Sequence, residues 1–249
     1  MKKYCLLSIF FYSYLCMGQR VLSNAELQQY TQPKVNNAPT NEWFKDRRNL
    51  YFWDEFYIIS GNRVYGTPFL YYDWCEGIIT TPNGTVFSGY KLKYNAYDQT
   101  VHFSNGKDSL EVNEEIQEFT LVNRYPDTMI ISKFINANQF KKEKQPLYYE
   151  LILDNEKGQL LKLNKKLVVA PGKGISSNEV RRIFDLEVSY FYYDKTKKEL
   201  TQIKANGSNI TSIIGSNDTM TAELKNYDFS LEDQLIAFFT KYFELKKVK

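Results

Sequence analysis

The side chains that most often carry catalysis or bind metal ions are scarce in this chain. It has one histidine, His102, and three cysteines, Cys5, Cys16 and Cys75. A serine or cysteine nucleophile needs a base such as histidine beside it, and no G-x-S-x-G motif accompanies His102. His102 and Cys75 together cannot supply the four ligands of a structural zinc site. We therefore expect no catalytic residue, no cofactor and no metal site, and we expect His102 on the wetter face of a strand.

Paired carboxylates are the remaining catalytic option, because glycoside hydrolysis needs only two carboxyl groups held about 5 to 9 Å apart. Asp73 and Glu76 form the best local pair, since Trp74 and nearby tyrosines could support a sugar ring. Glu114 and Glu115 form a weaker pair, because neighbouring residues on a strand face opposite ways. A carbohydrate hydrolase that uses an acidic pair is therefore one alternative function.

The start of the chain has the layout of a secretory signal peptide. Lys2 and Lys3 precede an apolar run from Tyr4 to Met17, and Gly18-Gln19 follows. A basic n-region, an apolar h-region and a small residue before the cleavage point define such a leader. We expect residues 1–18 to be removed near Gly18-Gln19 and the protein to be exported to the periplasm, the outer membrane or the extracellular side.

The apolar run also bears on membrane attachment. It is about fourteen residues long, whereas roughly twenty are needed to span a bilayer, and no later run approaches that length. We expect no transmembrane segment in the mature chain. A bacterial lipid-attachment cysteine usually follows a small residue, but Ser13-Tyr14-Leu15 places bulky residues before Cys16. Cleavage after Gly18 is therefore favoured over lipidation of Cys16.

Removal of the leader leaves a nearly neutral chain with one thiol. Loss of Lys2 and Lys3 changes the count of Lys and Arg from 32 to 30, against 29 Asp and Glu, which gives a net charge of +1. Nucleic-acid binding needs a clustered basic face, which this balance does not indicate. Cys75 then has no cysteine to pair with, and no Lys, Arg or His lies within five residues of it. We expect Cys75 to be a buried small apolar side chain.

The region from Val64 to about Ile203 shows a period of two, as in Tyr90 to Ala96 and Phe184 to Tyr192. Successive side chains of a strand face opposite sides, so each run predicts a strand with one buried face. Turn signals separate the runs at Pro82-Asn83-Gly84, Asp98-Gln99, Asn105-Gly106, Pro126-Asp127, Asp154 to Gly158 and Asp194-Lys195. Short turns join antiparallel strands. We predict an antiparallel meander of about eight to ten strands, curved into a half-barrel or partly closed barrel.

The end of the chain changes to helical periodicity. Short helices are predicted over 210–214 and 218–224, and Ser230 begins the clearest helix. The apolar stripe of that helix consists of Leu231, Leu235, Phe238, Phe239 and Tyr242. The predicted fold class is therefore α+β, with the C-terminal helices packed on the concave face of the sheet. After the signal peptide we expect a weakly ordered arm over 19–42 and a single domain over 43–249, mostly β over 43–203 and helical over 208–245.

Four segments together resemble a recurring pattern. They are Gly66-Thr67-Pro68-Phe69-Leu70, Gly77-Ile78-Ile79, Asn83-Gly84 and Tyr90 to Asn95, which ends in Leu92-Lys93-Tyr94-Asn95. The combination of G-x-P-[FY]-L with a later L-[KR]-Y-N strand resembles the uncharacterised secreted or periplasmic proteins of Bacteroidota. This resemblance implies export to the periplasm or outer surface, and it implies no activity and no catalytic residues.

The sequence therefore favours a non-catalytic, exported cell-envelope binding or accessory protein, with an envelope protein complex or an apolar ligand as its partner. Its candidate binding surface is aromatic and consists of Trp53, Tyr65, Phe69, Tyr71, Tyr72 and Trp74. The same rings could instead fill the core. The second alternative function, beside the hydrolase, is a carrier that holds a lipid or another apolar ligand between the sheet and the helices.

Overall fold

The computed structural model of this protein describes residues 44–45, 56–104, 109–125, 128–141, 143, 145–170, 182–204, 207–215 and 218–247. The predicted signal peptide, the predicted arm and Trp53 lie outside the described residues. Among the described helices, none is both long enough and apolar enough to cross a membrane.

The described chain consists of strands followed by helices. The strands are β1 (Phe44–Lys45), β2 (Phe56–Ile59), β3 (Asn62–Tyr65), β4 (Cys75–Thr80), β5 (Val86–Asn95), β6 (Thr100–Ser104), β7 (Ser109–Val112), β8 (Glu118–Arg124), β9 (Met129–Asn136), β10 (Tyr148–Asp154), β11 (Gly158–Val169), β12 (Arg182–Asp194) and β13 (Glu199–Ile203). The helices are α1 (Gly207–Ile214), α2 (Asp218–Glu223) and α3 (Glu232–Lys247). Single 3-10 turns cover Ala137–Gln139 and Leu224–Asn226.

All strands belong to one sheet, in the order β1-β7-β6-β5-β4-β8-β9-β10-β11-β12-β3-β2, with β13 also paired to β12. The predicted α+β class with a curved sheet and C-terminal helices is confirmed. Within the predicted span from Val64 to Ile203, β4 to β13 are ten strands, as expected, and β1 to β3 bring the sheet to 13 described strands. One detail of the prediction is wrong, because β3 pairs with β12 in parallel, through Val64 opposite Arg182 and Tyr65 opposite Ile183. Strands of two to four residues, such as β1 to β3, are too short to show an alternating pattern.

Four of the six predicted turn segments lie among the described residues, and each joins neighbouring strands of the sheet. The other two, Asn105-Gly106 and Pro126-Asp127, lie outside the described residues. Asn83 accepts a hydrogen bond from the Thr85 N–H at 3.0 Å, and Gly84 has a φ of +82°. Between β10 and β11, the side chain of Asn155 accepts a hydrogen bond from the Gly158 N–H at 2.7 Å. Lys195 then forms an ion pair with Asp154 at 2.6 Å. The Asp154-Asn155-Glu156 stretch is thus the predicted hairpin turn.

The sheet curls until distant strands meet. The Lys166 backbone N–H donates to the Ala96 carbonyl at 3.0 Å, although β4, β8, β9 and β10 lie between β5 and β11 in the sheet order. Gln99, in the turn after β5, donates to the carbonyl oxygens of Ala96 at 2.8 Å and Asn164 at 3.2 Å. Among the described strands, no ladder pairing closes the sheet. The curvature is therefore that of the predicted half-barrel.

The inner face of this curve holds an aromatic core. Tyr94 on β5 packs against Phe119, Phe134 and Tyr148, with ring centroids 5.0 to 6.1 Å apart. Phe119 and Phe134 stack at 4.7 Å across β8 and β9. Aromatic pairs of this kind add to the free energy gained from burial, so the tyrosine-rich composition serves the core as well as the surface.

The helices cover the same face farther along the sheet. Leu235, Phe238 and Phe239 of α3 are fully buried, and the Phe239 ring stacks on Tyr192 of β12 at 5.7 Å. Lys162 on β11 and Glu232 at the start of α3 form two contacts of 2.9 Å, which fix the helix to the sheet. The predicted packing of the C-terminal helices on the concave face is confirmed.

Candidate functional site

The segment between β3 and β4 lies against the end of β5. Its Phe69 forms an isolated antiparallel bridge with Asn95, and the Leu70 N–H donates to the Tyr94 carbonyl at 2.9 Å. On the other side of the bridge, the Ala96 N–H donates to the Pro68 carbonyl at 3.0 Å. These main-chain bonds hold the segment as firmly as a short extra strand would be held.

The segment places three rings around one ammonium group. Leu92 and Tyr94 of β5 face the inner core, so Lys93 between them lies on the outer face of the sheet. Its Nζ is 5.1 Å from the ring centroid of Phe69, 5.8 Å from that of Tyr72 and 5.3 Å from that of Trp74. We call these four residues the Lys93 cluster. At such distances the negative faces of the rings attract the positive charge.

The surroundings of the ammonium compensate its charge only in part. Burial lowers the pKa of Lys93 from the ordinary lysine value, and the negative charge of Asp73 opposes that shift. In the part of the chain that the structure describes, no carboxylate forms an ion pair with the Lys93 Nζ. The ring faces stabilise the charge, but they do not accept the three N–H groups as oxygen atoms would.

The cluster has one buried side and one open side. Phe69 is 1% exposed and forms the floor, whereas Tyr72 is 75% exposed. Trp74 is half-buried at the edge. Among the described residues, neither the Tyr72 hydroxyl nor the Trp74 indole N–H forms a hydrogen bond. The cluster therefore combines the exposed ring of Tyr72 with the half-buried side chains of Trp74 and Lys93.

Charged residues line the neighbouring outer face of β4 and β8. Glu76 accepts two hydrogen bonds from the Arg124 guanidinium at 3.1 Å, and its other carboxylate oxygen lies 3.9 Å from the Lys91 ammonium. Asp73 is exposed just before β4. The predicted acidic pair of Asp73 and Glu76 thus lies beside the Lys93 cluster, with Glu76 held in ion pairs. The other acidic pair, Glu114 and Glu115, lies in the connection between β7 and β8 and not on a strand as we expected.

The single histidine differs from the expectation of a wet strand face. His102 is 3% exposed, because the Phe69 ring covers it edge-on with centroids 5.1 Å apart. Its Nε2 lies 3.3 Å from the Thr100 hydroxyl. The segment that carries the rings thus buries the outer face of β6 as well, and no periodic pattern of β6 itself indicates this cover.

Cys75 is a buried thiol, as predicted from the sequence. It is 1% exposed, and its Sγ lies 3.8 Å from the Asp73 carbonyl oxygen. Burial raises the pKa of this thiol to about 11, and the nearby ammonium groups of Lys91 and Lys93 oppose that rise only in part. The thiol is therefore protonated at neutral pH.

The predicted aromatic surface is divided by the structure. Tyr72 and Trp74 lie at the surface, whereas Phe69 belongs to the buried floor and Tyr65 is half-buried in β3. Tyr71 points to the inner face, where its hydroxyl is 2.7 Å from that of Ser132. Trp53 lies outside the described residues. Phe69 thus packs at the floor of the Lys93 cluster, and Tyr71 packs against the inner core.

The inner polar network explains the position of Tyr71. Ser132 donates to one carboxylate oxygen of Glu150 at 2.7 Å, and Asn164 donates to the other at 2.7 Å. Because the Ser132 hydroxyl has a single hydrogen, Tyr71 donates to Ser132. Burial, followed by the charge of Glu150, raises the pKa of Tyr71 well above its ordinary value. These buried and half-buried polar groups satisfy one another and fix the segment to the sheet.

Sequence reasoning missed Lys93. The signal was present in its position between the inward residues Leu92 and Tyr94, which places the lysine on the outer face. Its approach to the rings could not be found, because it depends on the bridge between Phe69 and Asn95. Comparison of the chain with protein-family models, curated proteins and solved structures found no match.

Proposed function

We propose that this chain is a non-catalytic, exported binding or accessory protein of the cell envelope, and that it binds through the Lys93 cluster. The observation that supports this most directly is the 75% exposure of Tyr72 beside a half-buried ammonium that has no ion-pair partner among the described residues. Exposed rings next to a cation are typical of binding surfaces, because each ring offers a large contact area with few rotatable bonds.

The firm attachment of the cluster favours binding. Main-chain bonds tie Pro68 and Leu70 to β5, and the Lys166 ammonium donates to the Thr67 carbonyl at 2.6 Å. A ligand that meets such a surface does not have to order it, so less free energy is lost on association. The nearby titratable groups have structural roles. Glu76 is ion-paired and Cys75 is buried, which supports binding rather than catalysis at this place.

Export is supported by the leader pattern from Lys2 to Gln19. Envelope location agrees with the resemblance to secreted proteins. Removal of the leader would leave Cys75 without another cysteine, so the mature chain would depend on its packed core for stability. The carrier alternative would place its ligand between sheet and helices, where Tyr192 and Phe239 are in direct contact. No observation in the described chain favours that alternative.

Gentle detergent purification of the full chain from its native host, followed by mass spectrometry of what comes with it, tests the proposal. We expect cleavage near Gly18, an envelope fraction and a specific partner or glycan that is lost with Tyr72→Ala. Leu186→Ala is the matched control, because Leu186 is an exposed apolar residue, 43% exposed, on β12. A cytosolic chain, or a partner retained equally by Tyr72→Ala, would overturn the proposal.

A further inference from the structure

We infer that the ligand of the Lys93 cluster is an anionic saccharide, in which the Lys93 ammonium binds a carboxylate or sulfate group and Tyr72 with Trp74 contacts the sugar ring. This inference rests on the proposed function, since it specifies what the same surface binds. The chemical class follows from two kinds of group in the cluster, which are a cation that has no ion pair among the described residues and aromatic ring faces.

The cation requires an oxygen acceptor. An ammonium has three N–H donors, and on one side of Lys93 these meet only the ring faces of Phe69, Tyr72 and Trp74. An anionic oxygen on the open side would form a charge-assisted hydrogen bond, which is shorter and stronger than one to water. Since burial already removes part of the hydration of this ammonium, little further desolvation is needed for an anion to bind.

The local charge favours an anion as well. The outer face around the cluster carries the cations Lys91, Lys93 and Arg124 against the carboxylates Asp73 and Glu76. Glu76 is already held by Arg124 and Lys91. The three cations exceed the two carboxylates by one positive charge, and the exposed Asp73 is the nearby counter-charge of Lys93 among the described residues.

The rings favour a sugar as the carrier of that anion. The C–H groups on one face of a pyranose carry a slight positive charge, which suits the negative face of an aromatic ring. The Tyr72 hydroxyl and the Trp74 indole N–H, which form no hydrogen bond among the described residues, can bond the sugar hydroxyls at the edge of the ring. An acidic membrane surface needs several basic side chains together, and an acidic peptide gains most from several cations. The cluster offers one ammonium flanked by rings.

Calorimetric titration of the purified chain with defined oligosaccharides tests the inference. The probes are tetragalacturonate, its fully methyl-esterified form with the same rings and no charge, and a carrageenan tetrasaccharide that carries sulfate on neutral sugars. We expect at least one anionic probe to bind, and we expect methyl esterification or Lys93→Met to weaken binding about tenfold or more. Lys93→Arg should retain most of the affinity. Lys91→Met is the control for charge on the same strand, and it should change affinity less than about threefold.

The two anionic probes separate carboxylate from sulfate as the preferred group. Equal affinity for tetragalacturonate and its methyl ester, lost with Tyr72→Ala, would overturn the anionic class while leaving the proposed binding surface intact. If a poly-glutamate of the same charge bound with the same affinity as tetragalacturonate, the saccharide class would be overturned. If none of these probes binds but a protein partner depends on Tyr72, the inference fails and the proposed function stands. Thermal unfolding of each variant confirms that it is folded.

Discussion

Lys166 on β11 donates its backbone N–H to the carbonyl of Ala96 at the end of β5, at 3.0 Å, although four other strands separate β5 from β11 in the sheet. The bond shows how far the sheet curls. It also explains why the segment from Pro68 to Trp74 is so well fixed. The Ala96 N–H donates to the Pro68 carbonyl, and the Lys166 ammonium donates to the Thr67 carbonyl. Ala96 and Lys166 therefore hold both the curl of the sheet and the segment that carries the rings.

Gln99 is the side chain that joins the two ends of the curl. Its amide group donates to the carbonyl oxygens of Ala96 and Asn164, and it accepts from the buried Tyr94 hydroxyl at 2.6 Å. Gln99→Ala should lower the free energy of unfolding by about 2 to 3 kcal/mol, because it removes three hydrogen bonds and leaves the buried Tyr94 hydroxyl without its partner. Urea denaturation measures the change. Gln202→Ala, at an exposed position of β13, should stay within about 0.5 kcal/mol of wild type.

A double-mutant cycle separates the hydrogen bond from other effects of the Gln99 substitution. Tyr94→Phe should cost less in the Gln99→Ala background than in the wild type, since its hydroxyl then has no partner to lose. Additive effects of the two substitutions would show that Gln99 does not hold Tyr94 in place.

Local features of the fold could be predicted from the sequence because each depends on neighbouring residues. The alternation from Tyr90 to Ala96 indicates β5, and Asn83-Gly84 indicates its hairpin turn. The parallel pairing of β3 with β12 could not be predicted. It joins Val64–Tyr65 to Arg182–Ile183, which are far apart in sequence and carry no turn signal that would link them.

The candidate site shows the same limit at the level of single residues. Phe69 and Tyr72 lie in one irregular segment, yet Phe69 is 1% exposed and Tyr72 is 75% exposed. Periodicity assigns faces only inside regular elements, so it cannot separate two such rings. Lys93 lies on a strand, and its outward direction follows from the pattern. Its ring neighbours follow only from the bridge between Phe69 and Asn95.

Burial of Cys75 makes stability depend on pH in the alkaline range. Its pKa is raised from 9.0 to about 11 in the folded chain, so above pH 9 the unfolded chain holds fewer protons than the folded one. The thiol therefore stabilises the fold fully below pH 9, and this contribution falls as pH rises towards 11. The stability of wild type relative to Cys75→Ala should decrease across that window. Because both proteins contain the same tyrosines, the effect of tyrosine titration cancels in the difference between their free energies of unfolding.

Chemical labelling checks the same thiol directly. In the native protein, Cys75 should react with a disulfide reagent at pH 8 far more slowly than in urea, because it is buried and protonated. If the native thiol reacted fast, at a rate that urea does not change, Cys75 would not be buried.

The ammonium of Lys93 should titrate below the ordinary lysine pKa of about 10.4. Burial is the main cause and the charge of Asp73 opposes it, so Asp73→Asn should lower the pKa of Lys93 further, and Leu186→Ala should leave it unchanged. Carbon NMR of the lysine side chain against pH measures both. The same shift makes stability rise with pH between the lowered value and about 10.4, since the unfolded chain binds more protons there, and Lys93→Met should abolish that rise.

Bound anion should reverse the shift of Lys93. Tetragalacturonate at saturation should raise the pKa of this ammonium, because a nearby negative charge favours the protonated form. The affinity for the anion should accordingly fall as pH rises through the pKa that Lys93 has in the free protein. Binding that strengthens with pH, or a Lys93 resonance that does not move on addition of the anion, would contradict the assigned role.

Ser132 carries the polar network that orients Tyr71. It is 2% exposed, it accepts from the Tyr71 hydroxyl and it donates to Glu150 at 2.7 Å. Ser132→Ala removes both bonds and leaves two half-buried groups, the Tyr71 hydroxyl and the Glu150 carboxylate, short of a partner, which should lower the free energy of unfolding by about 1 to 2 kcal/mol. Ser189→Ala, at a half-buried position on β12, is the control and should have a smaller effect.

The network also links core and surface, because Tyr71 immediately precedes Tyr72 in the chain. If the network fixes the direction of this segment, Ser132→Ala should weaken binding at the Lys93 cluster although Ser132 lies on the opposite face of the sheet. Tyr71→Phe should have little further effect in the Ser132→Ala background, because the bond that it deletes is already lost. Loss of stability with full retention of affinity would show that the inner network supports the core alone, and that the main-chain bonds of Pro68 and Leu70 suffice to hold the rings in place.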